Sequence, residues 1–294
     1  MPAVAYPTLL ELRRLPAFRP LRLPQIVSLV RAGARKRPRK GTVLSSPDEH
    51  AGAIWLVLEG SVRIERPGMK AEVLEAPVDV GLLPLLAELP SAATVTAAER
   101  LKAIEVPVAH VLDVLDANPS HRLRLAAELG EALDELRGGR PLLEGGPLER
   151  FPEGDDDEGR FAEALFRLTR VAPTAGADVS QLVSLARRLE PLQAAPGEPL
   201  LEGSTHACIL IEGTAELALG GLRLPAGPGA HLGWVEALAD RELPYESTAR
   251  TAVRGLRYER TALLAAVRHW PAVARVVLRH LARGLVAADP RALL

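Results

Sequence analysis

Short apolar runs separated by Gly, Pro and Asp occupy two stretches of the chain. Within them hydrophobic and polar residues alternate, as in 61–64, or the run is wholly apolar, as in 208–211, which is typical of short strands in a β-roll or sandwich. Helical spacing of apolar residues flanks both stretches, as lead-in segments and as one closing helix each. The lead-in helices are predicted at 9–15, 24–32, 160–170 and 179–189. The closing helices are marked by Leu125, Leu129, Leu133 and Leu136, and by Val273, Val277, Leu281 and Leu285.

The two stretches repeat one another at a nearly constant distance along the chain. The matching landmarks are Gly41 and Gly197, Gly60 and Gly213, Gly81 and Gly233, Pro90 and Pro244, Thr94 and Thr248, and Pro119 and Pro271. Their offsets stay between 152 and 156 residues. Because six independent landmarks keep this spacing, the sequence predicts a duplicated structural unit. Gly60 and Gly213 stand where one strand ends and the next begins, a position that favours a positive φ angle.

This organisation predicts a mainly β fold with flanking helices, in the α+β class, built as two tandem double-stranded β-helix (jelly-roll) domains. The predicted boundaries are 1–138 for the first domain, 139–159 for a linker and 160–288 for the second domain. The linker is rich in Gly and contains the acidic run 155–158. Because high charge with few apolar groups cannot offset the entropy of ordering, the linker is expected to be mobile.

Composition narrows the classes of protein. The chain has 294 residues, of which 48% are hydrophobic and 25% charged, and its formal net charge is −1. No overall field therefore draws it to nucleic acid or to an anionic membrane. The chain shows neither a signal peptide nor a run near the ~20 apolar residues of a membrane helix, so a cytoplasmic location is expected. The preference for Arg over Lys, with abundant Ala, Leu, Pro and Gly, suggests a GC-rich bacterial genome.

Particular segments of the first stretch resemble the cyclic-nucleotide-binding domain family. The turn 39–44 opens the roll, the strand pair 55–64 passes through Glu59-Gly60, and the segments 93–97 and 116–119 complete the pattern. The resemblance covers about 130 residues of the first stretch. For the second stretch it depends largely on the repeat offsets. It implies two tandem cyclic-nucleotide-binding-like domains.

The resemblance also implies a phosphate-binding cassette in each domain. In the family, a helix that starts after a Gly holds the cyclic phosphate, a Glu after that Gly holds the ribose, and an Arg after a Pro pairs with the phosphate. The corresponding positions here are Gly81, Leu82, Ser91 and Thr94 in the first domain, and Gly233, Trp234, Tyr245 and Thr248 in the second.

Both anchoring residues are replaced in both cassettes. Leu82 and Trp234 stand at the Glu position, and Ser91 and Tyr245 stand at the Arg position. Each charge-assisted contact is worth about 1.5–3 kcal/mol. The losses together predict an affinity weaker by roughly a hundredfold or more. The two apolar side chains are expected to point inward and fill the place of the ribose, and Arg250 is the candidate for a substitute cation.

Other chemistry is sparse. Cys208 is the only cysteine, so no internal disulfide forms, and its apolar neighbours predict a buried core thiol. The seven histidines show no ligand spacing typical of zinc, and neither a nucleophile elbow nor a Lys-bearing phosphate loop is found. The basic segment 31–40 lacks interleaved aromatic residues and indicates a solvated strand rather than a nucleic-acid surface. No metal, cofactor or catalytic residue is expected.

The sequence therefore predicts a non-enzymatic regulatory or scaffold protein that acts through protein–protein contacts. The alternative is a nucleotide sensor that binds cAMP, cGMP or a cyclic dinucleotide through a divergent cassette. An enzyme on a β-roll is the third reading, and no group of residues supports it. A protein partner is expected, any cyclic-nucleotide binding is expected to be weak, and neither nucleic acid nor membrane is expected to bind. The isolated chain is predicted to be a monomer or a weak dimer, near 31.5 kDa as a monomer.

Overall fold

The computed structural model describes residues 12–15, 21–143, 156–201, 203 and 205–289. Contacts divide the chain into two compact units. Unit 1 comprises 1–125 with 285–294, and unit 2 comprises 126–284. The predicted domain boundary at 138 lies beyond this division, which falls inside a helix, and the predicted boundaries stay a prediction.

The described residues of unit 1 form three helices and eight short strands, and a fourth helix begins before the unit ends. The elements are α1 (Leu23–Ala32), β1 (Ala34–Lys36), β2 (Val43–Ser45), β3 (Ala53–Glu59), β4 (Ser61–Glu65), β5 (Glu72–Glu75), β6 (Val78–Val80), α2 (Leu82–Ala87), β7 (Thr94–Ala97), β8 (Lys102–Pro107), α3 (Val108–Ala117) and α4 (Pro119–Arg137). The division between the units falls within α4, after Leu125.

The strands of unit 1 form two antiparallel sheets in the orders β1-β8-β3-β6 and β2-β7-β4-β5. Because successive side chains in a strand point to opposite faces, alternate residues enclose a shared interior. This inner cluster contains Val57, Val62, Ile64, Val80, Ala93, Val95, Ala97, Leu101 and Ala103.

Unit 2 has the same order of elements from its long central strand onward. Its elements are α5 (Asp157–Leu168), α6 (Val179–Ala186), β9 (Glu190–Ala194), β10 (His206–Glu212), β11 (Ala215–Leu219), β12 (Leu222–Ala226), β13 (His231–Leu232), α7 (Trp234–Ala239), β14 (Glu246–Ala249), β15 (Val253–Glu259), α8 (Arg260–His269) and α9 (Pro271–Ala288). The sequence of β3, β4, β5, β6, α2, β7, β8, α3 and α4 is matched one for one by β10 to α9. The predicted fold class, a mixed α+β architecture with antiparallel sheets, is confirmed.

The strands of unit 2 form antiparallel sheets in the orders β13-β10-β15-β9 and β12-β11-β14. Cys208 and Leu210 of β10 face the interior with Leu217, Leu232 and Tyr245. Cys208 is fully buried, and burial raises the pKa of its thiol to about 12. The predicted core thiol is therefore confirmed.

In each unit a glycine lies where one strand ends and the next begins, as the sequence predicts, and the two strands belong to different sheets. Gly60 lies between β3 and β4 with φ +94°, and Gly213 lies between β10 and β11 with φ +81°. A Cβ atom at position 213 would lie 2.2 Å from the carbonyl oxygen of Ala252. The backbone therefore passes too close at this turn for any side chain.

The predicted linker ends earlier than its acidic composition suggests. Asp156 caps α5, its Oδ1 accepting the Gly159 N–H at 2.7 Å, and α5 begins at Asp157. Carboxylates at a helix N-terminus stabilise it because they face unpaired N–H groups and the positive end of the helix dipole. Part of the acidic run thus starts a helix. Residues 144–155 of the predicted linker lie outside the described residues, as do residues 9–11 of the lead-in helix predicted at 9–15.

The closing helices differ in how completely their predicted apolar stripes are buried. Val273, Val277, Leu281 and Leu285 of α9 are all at most 5% exposed. In α4, Leu125 and Leu133 are buried whereas Leu136 is 49% exposed. Across the described ranges, no single helix is both long enough and apolar enough to cross a bilayer; α8 and α9 pass that test only as a pair, and the chain bends by 113° between them.

Candidate functional site

A six-residue helix follows a left-handed glycine at the cassette position of each unit. Gly81 precedes α2 with φ +97°, and Gly233 precedes α7 with φ +80°. Glycine reaches this conformation without strain, so the backbone turns sharply from β6 or β13 into the helix. The structure thus forms both cassette helices where the sequence predicts them.

In unit 2 the side chain of Tyr245 points into the roll. Tyr245 is 5% exposed and belongs to the inner cluster. Its hydroxyl oxygen accepts a hydrogen bond from the Gly233 N–H at 3.1 Å. Burial raises the pKa of Tyr245 well above its ordinary value, so the phenol stays neutral. A neutral hydroxyl therefore satisfies the amide at the start of α7.

Replacing Tyr245 with Phe is expected to lower the free energy of unfolding by about 1–3 kcal/mol, because a buried N–H loses its acceptor. Chemical denaturation of the two proteins measures the difference. The control is Leu224→Ala in β12, a partly buried residue packed against the inner cluster, because this change removes side-chain atoms without removing a hydrogen bond. An unchanged stability in the Phe variant, with no new amide partner, would contradict the assigned bond.

Trp234 is buried, but it does not belong to the inner cluster of unit 2. It is 1% exposed, and its ring lies 6.4 Å from the imidazole of His231. His231 and Leu232 are neighbours in β13, so their side chains point to opposite faces of the sheet. Because the side chain of Leu232 belongs to the inner cluster, that of His231 lies on the opposite face. Trp234 therefore packs with His231 on that opposite face. Within unit 2, the cassette side chain in the inner cluster is that of Tyr245.

His231 joins the backbone before α6 to the sheet. Its Nδ1 lies 2.5 Å from the carbonyl oxygen of Ala172, and its Nε2 lies 2.6 Å from the hydroxyl of Tyr258. A carbonyl only accepts, so Nδ1 carries the proton and Tyr258 donates to Nε2. Burial lowers the pKa of His231 to about 4. The ring is therefore neutral at pH 7.

The other predicted positions of the second cassette lie away from its interior. Ser247 and Ala249 are buried, whereas Thr248 between them lies on the other face of β14. The hydroxyl of Ser247 accepts the Leu201 N–H at 3.2 Å. Arg250 pairs with Glu216 on the exposed side, so it does not replace the missing phosphate-binding Arg.

In unit 1, the polar groups of Ser91 form hydrogen bonds with neighbouring residues. The Ser91 hydroxyl donates to the Ala93 carbonyl at 2.9 Å and lies 3.3 Å from the Ala93 amide. Its backbone N–H donates to the Glu49 carbonyl at 3.1 Å, and its carbonyl accepts the Asp48 N–H at 3.0 Å. Every polar group of this buried residue thus has a protein partner.

The remaining positions of the first cassette are divided between the core and the surface. Leu82 is 7% exposed in the first turn of α2. Ala93, Val95 and Ala97 enter the inner cluster, so Thr94 lies on the outer face of β7, where it pairs with Glu65. The Thr94 hydroxyl therefore does not face the interior.

A cleft of about 450 Å³ borders Gly81 in unit 1. Its walls come from the segment 44–53, from Trp55 and Val80, and from Ala34 of β1 and Glu105 of β8, which are paired. Glu49 and Glu105 are the acidic groups of the lining, and Lys36 pairs with Glu105 at 3.2 Å. Carboxylates in this position disfavour a phosphate because like charges repel.

One residue of the second cassette helix was missed by the sequence reasoning. Glu236 is 3% exposed inside the otherwise apolar segment 234–239. The sequence does contain a signal, a single carboxylate among five apolar residues. If the whole helix is buried, this carboxylate must be buried as well. In the structure it is buried, and burial raises its pKa to about 7.

A comparison with known protein families finds a match within unit 1. Residues 35–118 match the family described as Cyclic nucleotide-binding domain. No curated protein matches the chain.

Several solved structures are similar to this chain. The regulatory subunit of a cAMP-independent protein kinase A from Trypanosoma brucei is 18% identical, with 94% of this chain and 87% of that chain covered and a TM-score of 0.35. The regulatory domain of Toxoplasma gondii PKA with cAMP is 15% identical, with coverages of 91% and 95% and a TM-score of 0.36. The sensor domain of the transcriptional regulator DNR from Pseudomonas aeruginosa is 23% identical, with coverages of 43% and 91% and a TM-score of 0.38.

The family match spans the strands and the cassette helix of unit 1, from β1 to the end of α3. It falls on the segments whose residues resemble that family. Residues 35–118 are thus a match to the cyclic nucleotide-binding domain family.

Proposed function

We propose that this chain is a non-enzymatic regulatory or scaffold protein that acts through protein–protein contacts, with two cyclic-nucleotide-binding-like domains whose cassettes no longer grip a cyclic nucleotide. The observation that carries the proposal is the hydrogen bond from the Gly233 N–H to the Tyr245 hydroxyl. This amide begins the cassette helix, where the family binds phosphate. A phosphate would have to displace a buried phenol and would find no cation in its place.

The arrangement in unit 1 supports the same proposal by a different route. Ser91 takes the position of the phosphate-binding Arg, and its hydroxyl and both backbone groups are bonded to 48–49 and to Ala93. The nearby cleft presents Glu49 and Glu105. A ligand phosphate there would meet carboxylates instead of a guanidinium, and a bidentate charge-assisted contact would be missing.

The proposal predicts that neither cAMP nor cGMP binds the full chain more tightly than tens of micromolar, measured by isothermal titration calorimetry and by thermal shift. The matched variant carries Leu82→Glu with Ser91→Arg, which restores both family residues at positions with the family's spacing in unit 1. We expect it to gain at least about tenfold in affinity, since each restored contact is worth about 1.5–3 kcal/mol. Submicromolar binding by the unaltered chain would refute the proposal.

The second candidate is a nucleotide sensor with a divergent cassette. The cleft beside Gly81 favours it, because a volume of about 450 Å³ lies within the usual range for small-molecule sites. A panel of linear nucleotides, cyclic mononucleotides and cyclic dinucleotides separates the two candidates. Saturable submicromolar binding of any member, lost when Ala53→Trp blocks the cleft, would establish the sensor.

The proposal extends to assembly and location. We place the protein in the cytoplasm as a monomer or a weak dimer when isolated, bound to a protein partner in the cell, and without nucleic acid or membrane as a ligand. The exposed outer faces of the rolls, such as the strand β5 with Val73 at 55% exposure, offer surface for such a partner.

A further inference from the structure

The C-terminal half of α4 packs on the cassette helix of unit 2. Both segments belong to that unit, whose residues begin at Ala126. Gly130 lies where an added Cβ would be 3.4 Å from the Val235 carbonyl oxygen and 3.5 Å from the Ala239 Cβ and amide nitrogen. The absence of a side chain at 130 therefore lets the two helix backbones approach closely.

Two ion pairs of Arg241, together called the clamp below, stabilise the contact between α4 and α7 one turn further along α4. Arg241, just after α7, donates to Asp134 Oδ2 at 3.1 Å and to Glu135 Oε1 at 2.8 Å. The Arg241 backbone N–H also donates to the Glu236 carbonyl at 3.1 Å. The clamp thus brings Asp134 to the turn of α7 that contains Glu236.

Glu236 places a carboxyl group in this packed contact. Its side chain is 3% exposed, and an ionised carboxylate there would lie near that of Asp134. The positive charge of Arg137 favours the ionised form of Glu236 and so opposes this repulsion. The Nε and Nη2 groups of Arg137 donate to the carbonyls of Arg140 and Pro141. From the segment after α7, the neutral phenol of Tyr245 faces the group.

Two further groups, one on α8 and one on β10, do not neutralise the charge of Glu236. Arg260 of α8 pairs with Asp240, which follows α7. Cys208 of β10 stays a neutral thiol. The charge on Glu236 is therefore opposed by burial and by Asp134, and a hydrogen bond to its own backbone together with Arg137 offsets these effects only in part.

We propose that a proton on Glu236 keeps the C-terminal half of α4 docked on α7, so that unit 2 responds to protons at the position where the family responds to a nucleotide. Docking buries a neutral acid at low pH. When Glu236 ionises, its carboxylate must leave the contact or be repelled within it, and α4 is released. The proposal is independent of whether unit 1 binds a nucleotide.

The sign and the pH window follow from the pKa of Glu236. Burial raises it from 4.5 to about 7. Docking is therefore fully supported below about pH 4.5 and weakens as pH rises toward 7. This difference in pKa predicts that the equilibrium constant for docking of α4 on α7 falls on the order of fiftyfold between pH 5 and pH 8.

Hydrogen exchange of the full chain tests the proposal. The experiment measures protection factors of the amides in 127–137 from pH 5 to pH 8 and corrects them for the intrinsic pH dependence of exchange. It compares the unaltered chain with the variants Glu236→Gln and Glu131→Gln. Glu131 is an exposed residue of the same helix, so its variant is the matched control. We expect protection to fall about fiftyfold in the unaltered chain and in the control, and to stay nearly constant in Glu236→Gln.

A flat profile in the unaltered chain would overturn the proposal, and so would an equal fall in Glu236→Gln, which would assign the response to another group. Carbon-13 NMR of the Glu236 carboxyl in the unaltered chain gives a second readout that needs no variant to fold. A titration midpoint near 7 supports the proposal, and a midpoint below 5 overturns it. Cyclic-nucleotide calorimetry reports on the proposed function separately.

Discussion

Replacing Gly213 with alanine is expected to cost at least about 4 kcal/mol of folding free energy, enough to unfold a domain of ordinary stability. Two effects add. The residue has φ +81°, which disfavours any side chain, and the new Cβ would lie 2.2 Å from the Ala252 carbonyl oxygen. Because the obstacle is backbone in the adjacent turn before β15, no side-chain rotation relieves it.

Gly197→Ala is the matched control for this substitution. Gly197 has φ +93°, but an added Cβ would meet nothing within 4 Å. Its cost is therefore confined to backbone strain, about 1–2 kcal/mol. Urea denaturation of both variants separates the effects. Equal losses of stability would show that the close approach to Ala252 is not a constraint.

Acidification between pH 6.5 and pH 4 is expected to destabilise the fold through His231. Burial lowers the pKa of this residue from 6.5 to about 4, because a charged imidazole would lie in the core. The unfolded chain takes up the proton near pH 6.5 and the folded chain only near pH 4. Stability is therefore fully present above pH 6.5 and falls as pH drops, by roughly 3 kcal/mol in total from this residue.

The variant His231→Gln should remove this contribution while keeping one donor for Ala172 and one acceptor for Tyr258. His121 has its pKa lowered to about 4 by burial as well, so part of the acid sensitivity should remain. The exposed His269→Gln serves as the control. Denaturant titrations at pH 7, 5.5 and 4 measure the slopes. An unchanged slope in His231→Gln would contradict the assignment.

Much of the fold follows from the position of glycines and from periodicity. The strand turns at Gly60 and Gly213 and the helix starts after Gly81 and Gly233 need a conformation that few other residues adopt, so these positions indicate geometry directly. Alternation in β7 and β14 likewise fixes which residues are buried. The predicted role of Thr94 and Thr248 conflicted with this alternation, since Ala93, Val95 and Ala249 face inward.

The candidate site was harder to predict, because composition identifies a residue but not the side of the sheet it reaches. Trp234 and Tyr245 both replace family residues, and the larger of them was expected to fill the interior. The first turn of α7 directs Trp234 toward His231, whereas Tyr245 reaches the Gly233 amide. That choice depends on tertiary packing between segments twelve residues apart.

Glu236 escaped prediction for a related reason. A single carboxylate in a short apolar helix is usually a solvated position, and only the packing of α4 makes it a buried one. Gly130 and Asp134 lie a hundred or more residues before α7, so no local pattern connects them with it. Such contacts between distant segments are not recorded in hydrophobic periodicity.

The burial of Cys208 in β10 makes the chain convenient for site-specific labelling. It is the only cysteine and is fully buried, and its thiol is held in the unreactive protonated form. A cysteine introduced at an exposed position, such as Glu131, would thus be the preferred target for maleimide dyes, without removal of the native residue. Under the same conditions, slow modification of Cys208 itself would report the opening of the interior of unit 2.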